Sequence, residues 1–121
     1  MRSKRWWRSQ KESSMRVLDA LVEMVALVHG LAGKVARQDA DLSRQMKRSS
    51  SSAALNASEG VWAKAGKRRS RLEDAVNSAR ETLVALRVAE ACGYLGQGEA
   101  GVAIERLENI VPVLWVLAYR R

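Results

Sequence analysis

The sequence predicts an all-α protein, an antiparallel up-down four-helix bundle. Three observations predict it. The 121 residues are 47% hydrophobic, lack Phe and contain one Pro, Pro112. Ala, Leu, Val, Arg, Glu and Ser dominate, and that is a helix-forming palette. Apolar residues recur at three- and four-residue spacings in four separate segments. No segment alternates like a strand between hairpin signals. Length places the chain in one domain.

Residues 1–12 read as a flexible basic and Trp-rich tail, with Arg5, Trp6, Trp7 and Arg8 interleaved. The bundle domain then spans 13–121. Ser13 or Ser14 can cap a first helix over about 14–32. Leu18, Leu21, Val25, Val28 and Ala32 form its stripe, with Val17, Met24 and Leu31 in a second row. A stripe that wide suggests contacts both with the core and with a neighbouring subunit. Gly30 and Gly33 mark its end.

Asp39 or Asp41 can cap a second helix, over about 40–62. Its segment 45–60 is nearly devoid of bulky apolar residues; Met46 and Leu55 are the exceptions. Small residues let helices approach closely, so this helix must pack against richer partners. Asn56 and Glu59 are read as a buried polar pair, with Arg48 or Arg80 as its donor, because a buried carboxylate needs one. A cationic loop follows, around Gly66. The third helix covers about 69–92, capped by Ser70 or begun a few residues earlier. Its stripe is Leu72, Val76, Ala79, Leu83 and Leu86, and Gly93 stops it. The fourth covers about 99–119, with Ala103, Leu107, Ile110, Leu114 and Leu117 inward. Pro112 should kink it. Trp62 and Trp115 are expected to pack at helix ends. Four helices with short links make the bundle.

The formal charge is +8 and the pI about 10.4. Residues 1–16 carry a net +5 and residues 44–71 a net +7, which leaves the rest at −4. Two basic clusters on an acidic body favour a polyanionic partner, nucleic acid before membrane. Lys64, Lys67, Arg68, Arg69 and Arg71 can neutralise several phosphates. Trp6 and Trp7, flanked by Arg5 and Arg8, can stack on unpaired bases or insert at a lipid interface.

Catalysis and cofactors find little support. His29 is the sole histidine and Cys92 the sole cysteine. That excludes an intramolecular disulfide and argues against zinc. It fits a reducing, cytoplasmic setting, with Cys92 as a small buried hydrophobe. The spacing from Gly60 to Gly66-Lys67-Arg68 does not make a phosphate loop. Nothing activates a serine among Ser49–Ser52. No apolar run reaches membrane-spanning length, and the N-terminus lacks the apolar core of a secretory signal.

Gln45, Met46, Lys47, Arg48, Ser49, Ser50, Ser52, Asn56, Glu59 and Gly60 stand in ungapped register with a helix of one bacterial family. Ala79, Arg80, Leu83 and Leu86 match a later helix, and Gly93, Tyr94 and Leu95 its stop. On these residues the chain resembles the four-helix-bundle proteins encoded in intervening sequences of 23S ribosomal RNA genes, over roughly 14–119. Glu81 and Thr82 depart from the family's Gly and Ser, and Ala85 from its usual acid. The resemblance implies a non-enzymatic protein without cofactor that forms a ring-shaped homo-oligomer, commonly a pentamer. It gives Gln45, Arg48, Asn56, Glu59, Gly60 and Arg80 structural roles. A related branch comprises accessory proteins of diversity-generating retroelements, which bind a reverse transcriptase and nucleic acid. The terminal helix, with Trp115, is loosely similar to that branch. Together these readings predict a basic RNA- or DNA-binding scaffold, or an accessory to a nucleic-acid enzyme. The alternative is a module that docks an acidic protein.

Overall fold

A computed structural model describes residues 4–119; within its first helix the side chains of residues 4 and 6–11 lie outside the description. Helix-forming composition becomes four helices: α1 Lys4–Val35, α2 Ala40–Val61, α3 Ala65–Ala91 and α4 Gly101–Tyr119. No strand occurs among the described residues.

α1 begins ten residues before the expected start. Nothing between Lys4 and Ser13 breaks a helix, and Lys, Arg, Gln and Glu propagate one well. The expected tail is therefore helical from Lys4 onward, and Ser14 is buried instead of capping. A Glu12–Arg16 pair at 3.7 Å, one turn apart, supports this stretch. The helix also runs through Gly30 and Gly33. Two glycines cost it roughly 1 kcal/mol each. Continuing buries Val35 completely, one more step of the stripe Val28–Ala32–Val35. The inward residues of α1 are Val17, Leu21, Met24, Val28, Ala32 and Val35, while Leu18, Val25 and Leu31 are half-buried.

Asp39 caps α2 as expected, its carboxylate accepting the Leu42 N–H at 2.9 Å. α3 starts at Ala65, four residues early, because the cationic segment is also a good helix former. Gly93, at φ +77°, ends it: Cys92 is the C-cap and the Tyr94 N–H reaches back to the Ala89 carbonyl at 2.9 Å. Cys92 there is exposed, a correction to its expected burial. Glu99 organises the turn into α4. It accepts the Gly96 N–H at 2.9 Å and pairs with Lys34 of α1. The Lys34 ammonium and that backbone donor hold its carboxyl below the usual value. α4 continues through the exposed Pro112 to Tyr119 and buries the five residues its stripe predicts.

Neighbouring helices meet in opposite order along their lengths. Ser49, Ser52 and Glu59 of α2 meet Thr82, Ser78 and Arg71 of α3. Ala32 and His29 of α1 meet Ser43 and Lys47 of α2. Arg87, Arg80 and Arg69 of α3 meet Glu108, Trp115 and Tyr119 of α4. Glu23 and Lys34 of α1 meet Arg106 and Glu99 of α4. α2 against α3 is the most intimate seam and α1 against α4 the sparsest.

The α2/α3 seam explains the small residues of 45–60. Ser49, Ser50, Ala53, Ala57 and Gly60 of α2 are buried, and α3 buries Ala75, Ala79 and Thr82. Every buried hydroxyl needs a partner at such a dry seam. Ser49 and Thr82 hydroxyls lie 2.7 Å apart, and Thr82 donates onward to the Ser78 carbonyl at 2.8 Å. On the α1 side of α2, Ser43 donates to the Ala32 carbonyl at 2.8 Å. Ser49→Ala and Thr82→Val are each expected to cost about 1 kcal/mol in urea unfolding. The double variant should lose less than the sum, because the two share one bond. Strict additivity would mean that the hydroxyls do not interact.

Candidate nucleic-acid interface

The five cations of the expected loop stand in and around the first two turns of α3. Lys64 is the N-cap and offers no side-chain cap, and no acid lies in the first turn. Lys64, Lys67 and Arg69 are exposed and form no ion pair among the described residues. Arg68 is half-buried and donates to the Val61 carbonyl at 3.0 Å, satisfying an end group of α2. Arg71 pairs with Glu59 at 3.2 Å, both largely exposed. So two of the five hold the turn together and three face outward. A helix N-terminus carries about half a positive charge from its aligned dipoles. Cations there add to that field where most proteins place acids.

Of the N-terminal group, Arg5 is exposed on α1. The side chains of Trp6, Trp7 and Arg8 lie outside the described residues.

The residues given structural roles behave unequally. Gly60 is buried in the α2/α3 seam. Asn56 and Glu59 are not a buried pair. Asn56 is half-buried and donates within its own helix, to the Ser52 carbonyl and hydroxyl at 3.0 Å. Glu59 is exposed and takes Arg71, not Arg48 or Arg80. The amide finds its acceptor one turn back and the carboxylate, at the surface, takes Arg71, so neither needs a buried donor. Gln45 and Arg48 are exposed and line a shallow groove of about 630 Å³ with His29, Arg44 and Ser51. The His29 Nε2 lies 3.2 Å from the Ser51 hydroxyl there.

Trp62 and Trp115 were expected to pack, and both are exposed, at 58% and 47%. Trp115 sits beside Tyr119, with ring centroids 4.5 Å apart and planes at 51°. The Arg69 guanidinium lies 4.8 Å from the Tyr119 centroid, and that of Arg80 lies 5.9 Å from Trp115. Both distances fall within cation–π range. The sequence reading gives Arg69, Arg80 and Trp115 separate roles and Tyr119 none. The signal was present: Trp115 and Tyr119 are one turn apart, and Arg69 and Arg80 are three turns apart on one face.

Among the described residues, no three His, Cys, Asp or Glu side chains converge as a metal site. No helix there is long and apolar enough to cross a membrane.

Among the described residues, fold and surface define an all-helical protein of four helices, the third of which starts in a cluster of cations. Residues 13–115 match the family model of the 23S rRNA-intervening sequence proteins, and the chain belongs to that family. Its fold is similar to a crystal structure, at 1.70 Å resolution, of a protein of unknown function from the S23 ribosomal protein family of Bacteroides thetaiotaomicron. The TM-score is 0.80 at 19% identity, over 88% of this chain and 97% of that one. A search of curated proteins returns no match.

Proposed function

We propose that this protein is a non-catalytic, basic scaffold for RNA or DNA, an accessory to a nucleic-acid enzyme such as a retroelement reverse transcriptase. One observation carries the reading: Lys64, Lys67 and Arg69, at the positive end of α3, form no ion pair among the described residues, and no acid lies in the first turn. Such a field is locally unfavourable and is relieved by a bound polyanion, whose displaced counterions add to the affinity. The arrangement is read as an up-down bundle. The start of α1, the α2–α3 turn and the end of α4 then share one end, which places Arg5 and the α3 cations toward that end.

A second reading, a protein-docking surface, is favoured by the sparse α1/α4 seam. A groove of about 680 Å³ runs there, lined in part by Val17, Ala20, Val102 and Val113. A ring of copies, pentameric by family resemblance, would cover this seam and leave the cationic end open. Both surfaces then serve one assembly.

Affinity capture from cell extract, with and without nuclease, separates the readings. The scaffold reading predicts that the recovered partners are nucleic acid and disappear on nuclease treatment. An acidic protein that stays bound after nuclease would contradict it.

A further inference from the structure

Between α3 and α4 runs a surface stripe that the cationic helix start does not account for. Tyr119 and Trp115 lie on it one turn apart, 40% and 47% exposed. Arg69 lies against the first ring and Arg80 against the second. Arg87 continues the row and pairs with Glu108 at 3.6 Å. Helical spacing puts Glu73 on the same stripe, where it forms no ion pair among the described residues. The three arginines and two glutamates make the row only slightly positive. Charge alone would therefore grip a duplex weakly here.

The rings change the chemistry. Each is amphipathic, rigid and half in water, and each has a guanidinium against it. An unpaired base has the same flat π-surface as an indole or phenol and can stack on the uncovered part of each ring. The displaced or sandwiching guanidinium then meets the base's face or its phosphate. A duplex presents no free base faces and gains nothing from the rings. Arg69 also belongs to the cationic start of α3, so the backbone of a strand on the rings continues onto Lys64 and Lys67.

We propose that Tyr119 and Trp115, with Arg69 and Arg80, form a base-stacking platform for single-stranded nucleic acid. The platform rests on the polyanion-scaffold reading and refines it. Phosphates are held at the helix start, and the unpaired bases next to them are held on the α3/α4 seam.

The test compares wild type, Trp115→Ala/Tyr119→Ala and Trp115→Phe/Tyr119→Phe by fluorescence anisotropy. The probes are a labelled pyrimidine single strand of about twelve nucleotides, within the usual site size, and a duplex of equal length. The platform predicts that the alanine pair weakens single-strand binding at least fivefold, the low end of base–aromatic stacking. Duplex binding should change less than twofold, and the phenylalanine pair should restore most single-strand affinity. Equal losses on both probes, or none on either, would overturn the platform while leaving the scaffold reading standing. Wild type that binds neither probe would overturn both. A lower molar mass for the alanine pair in light scattering would assign the rings to contact between copies and overturn the platform.

Discussion

Gly60→Val is expected to destabilise the fold by about 3 kcal/mol, at the upper end of ordinary overpacking costs. Gly60 lies where α2 comes closest to α3. A Cβ there would stand 2.8 Å from Leu72 Cγ, 3.0 Å from its Cδ2 and 3.2 Å from Arg71 Cβ. Real Cβ atoms do not tolerate the first of these distances. Leu72 cannot swing aside, because it is 0% exposed and packed by the core. The alternative is to part the two helices, which loosens the seam holding Ser49, Thr82, Ser52 and Ser78 together. Gly60→Ala makes the same clash with a smaller group and gains roughly 1 kcal/mol of helix propensity. It should lose about 1 kcal/mol net. Urea unfolding of the three proteins checks the order. Valine as stable as glycine would mean that the helices are not this close.

Replacing Lys64, Lys67 and Arg69 with Gln is expected to weaken duplex binding about a hundredfold at 0.15 M salt. The estimate assigns one phosphate contact to each residue and follows from counterion release. The slope of log affinity against log salt should shrink by about three units. Arg68 and Arg71 are left in place because they hold the Val61 carbonyl and Glu59. The same variant should unfold close to wild type, since removing three cations from the positive end of a helix offsets the lost Arg69–Tyr119 contact, worth about 0.5–1 kcal/mol. Lost binding with retained stability marks residues kept for a ligand. Unchanged affinity and slope would remove the helix start from the interface.

Most of the fold was legible in the periodicity. The α4 stripe of Ala103, Leu107, Ile110, Leu114 and Leu117 is buried as spaced. The small residues of α2 announced a close helix approach, and Gly93 announced the end of α3. Helix starts were less legible. α1 and α3 both begin early because Lys, Arg and Gln extend a helix as readily as they solvate a loop. Polar contacts were harder still. Asn56 and Glu59 are three residues apart, yet one bonds back to Ser52 and the other forward to Arg71. Spacing cannot separate those choices, which depend on where the next helix lands. The aromatic row was missed for a related reason. A Trp on an apolar helix is usually packed, and only the register of α3 against α4 leaves Trp115 between water and Arg80.

The cationic end is proposed to bind nucleic acid. The most direct test is an anisotropy titration of nuclease-treated protein against structured RNA and duplex DNA, at about 50 and 200 mM salt. Sub-micromolar binding that falls steeply between the two conditions is the predicted result. Binding no tighter than ~10⁻⁴ M near physiological salt, the weak end of ordinary non-specific affinity, would contradict it.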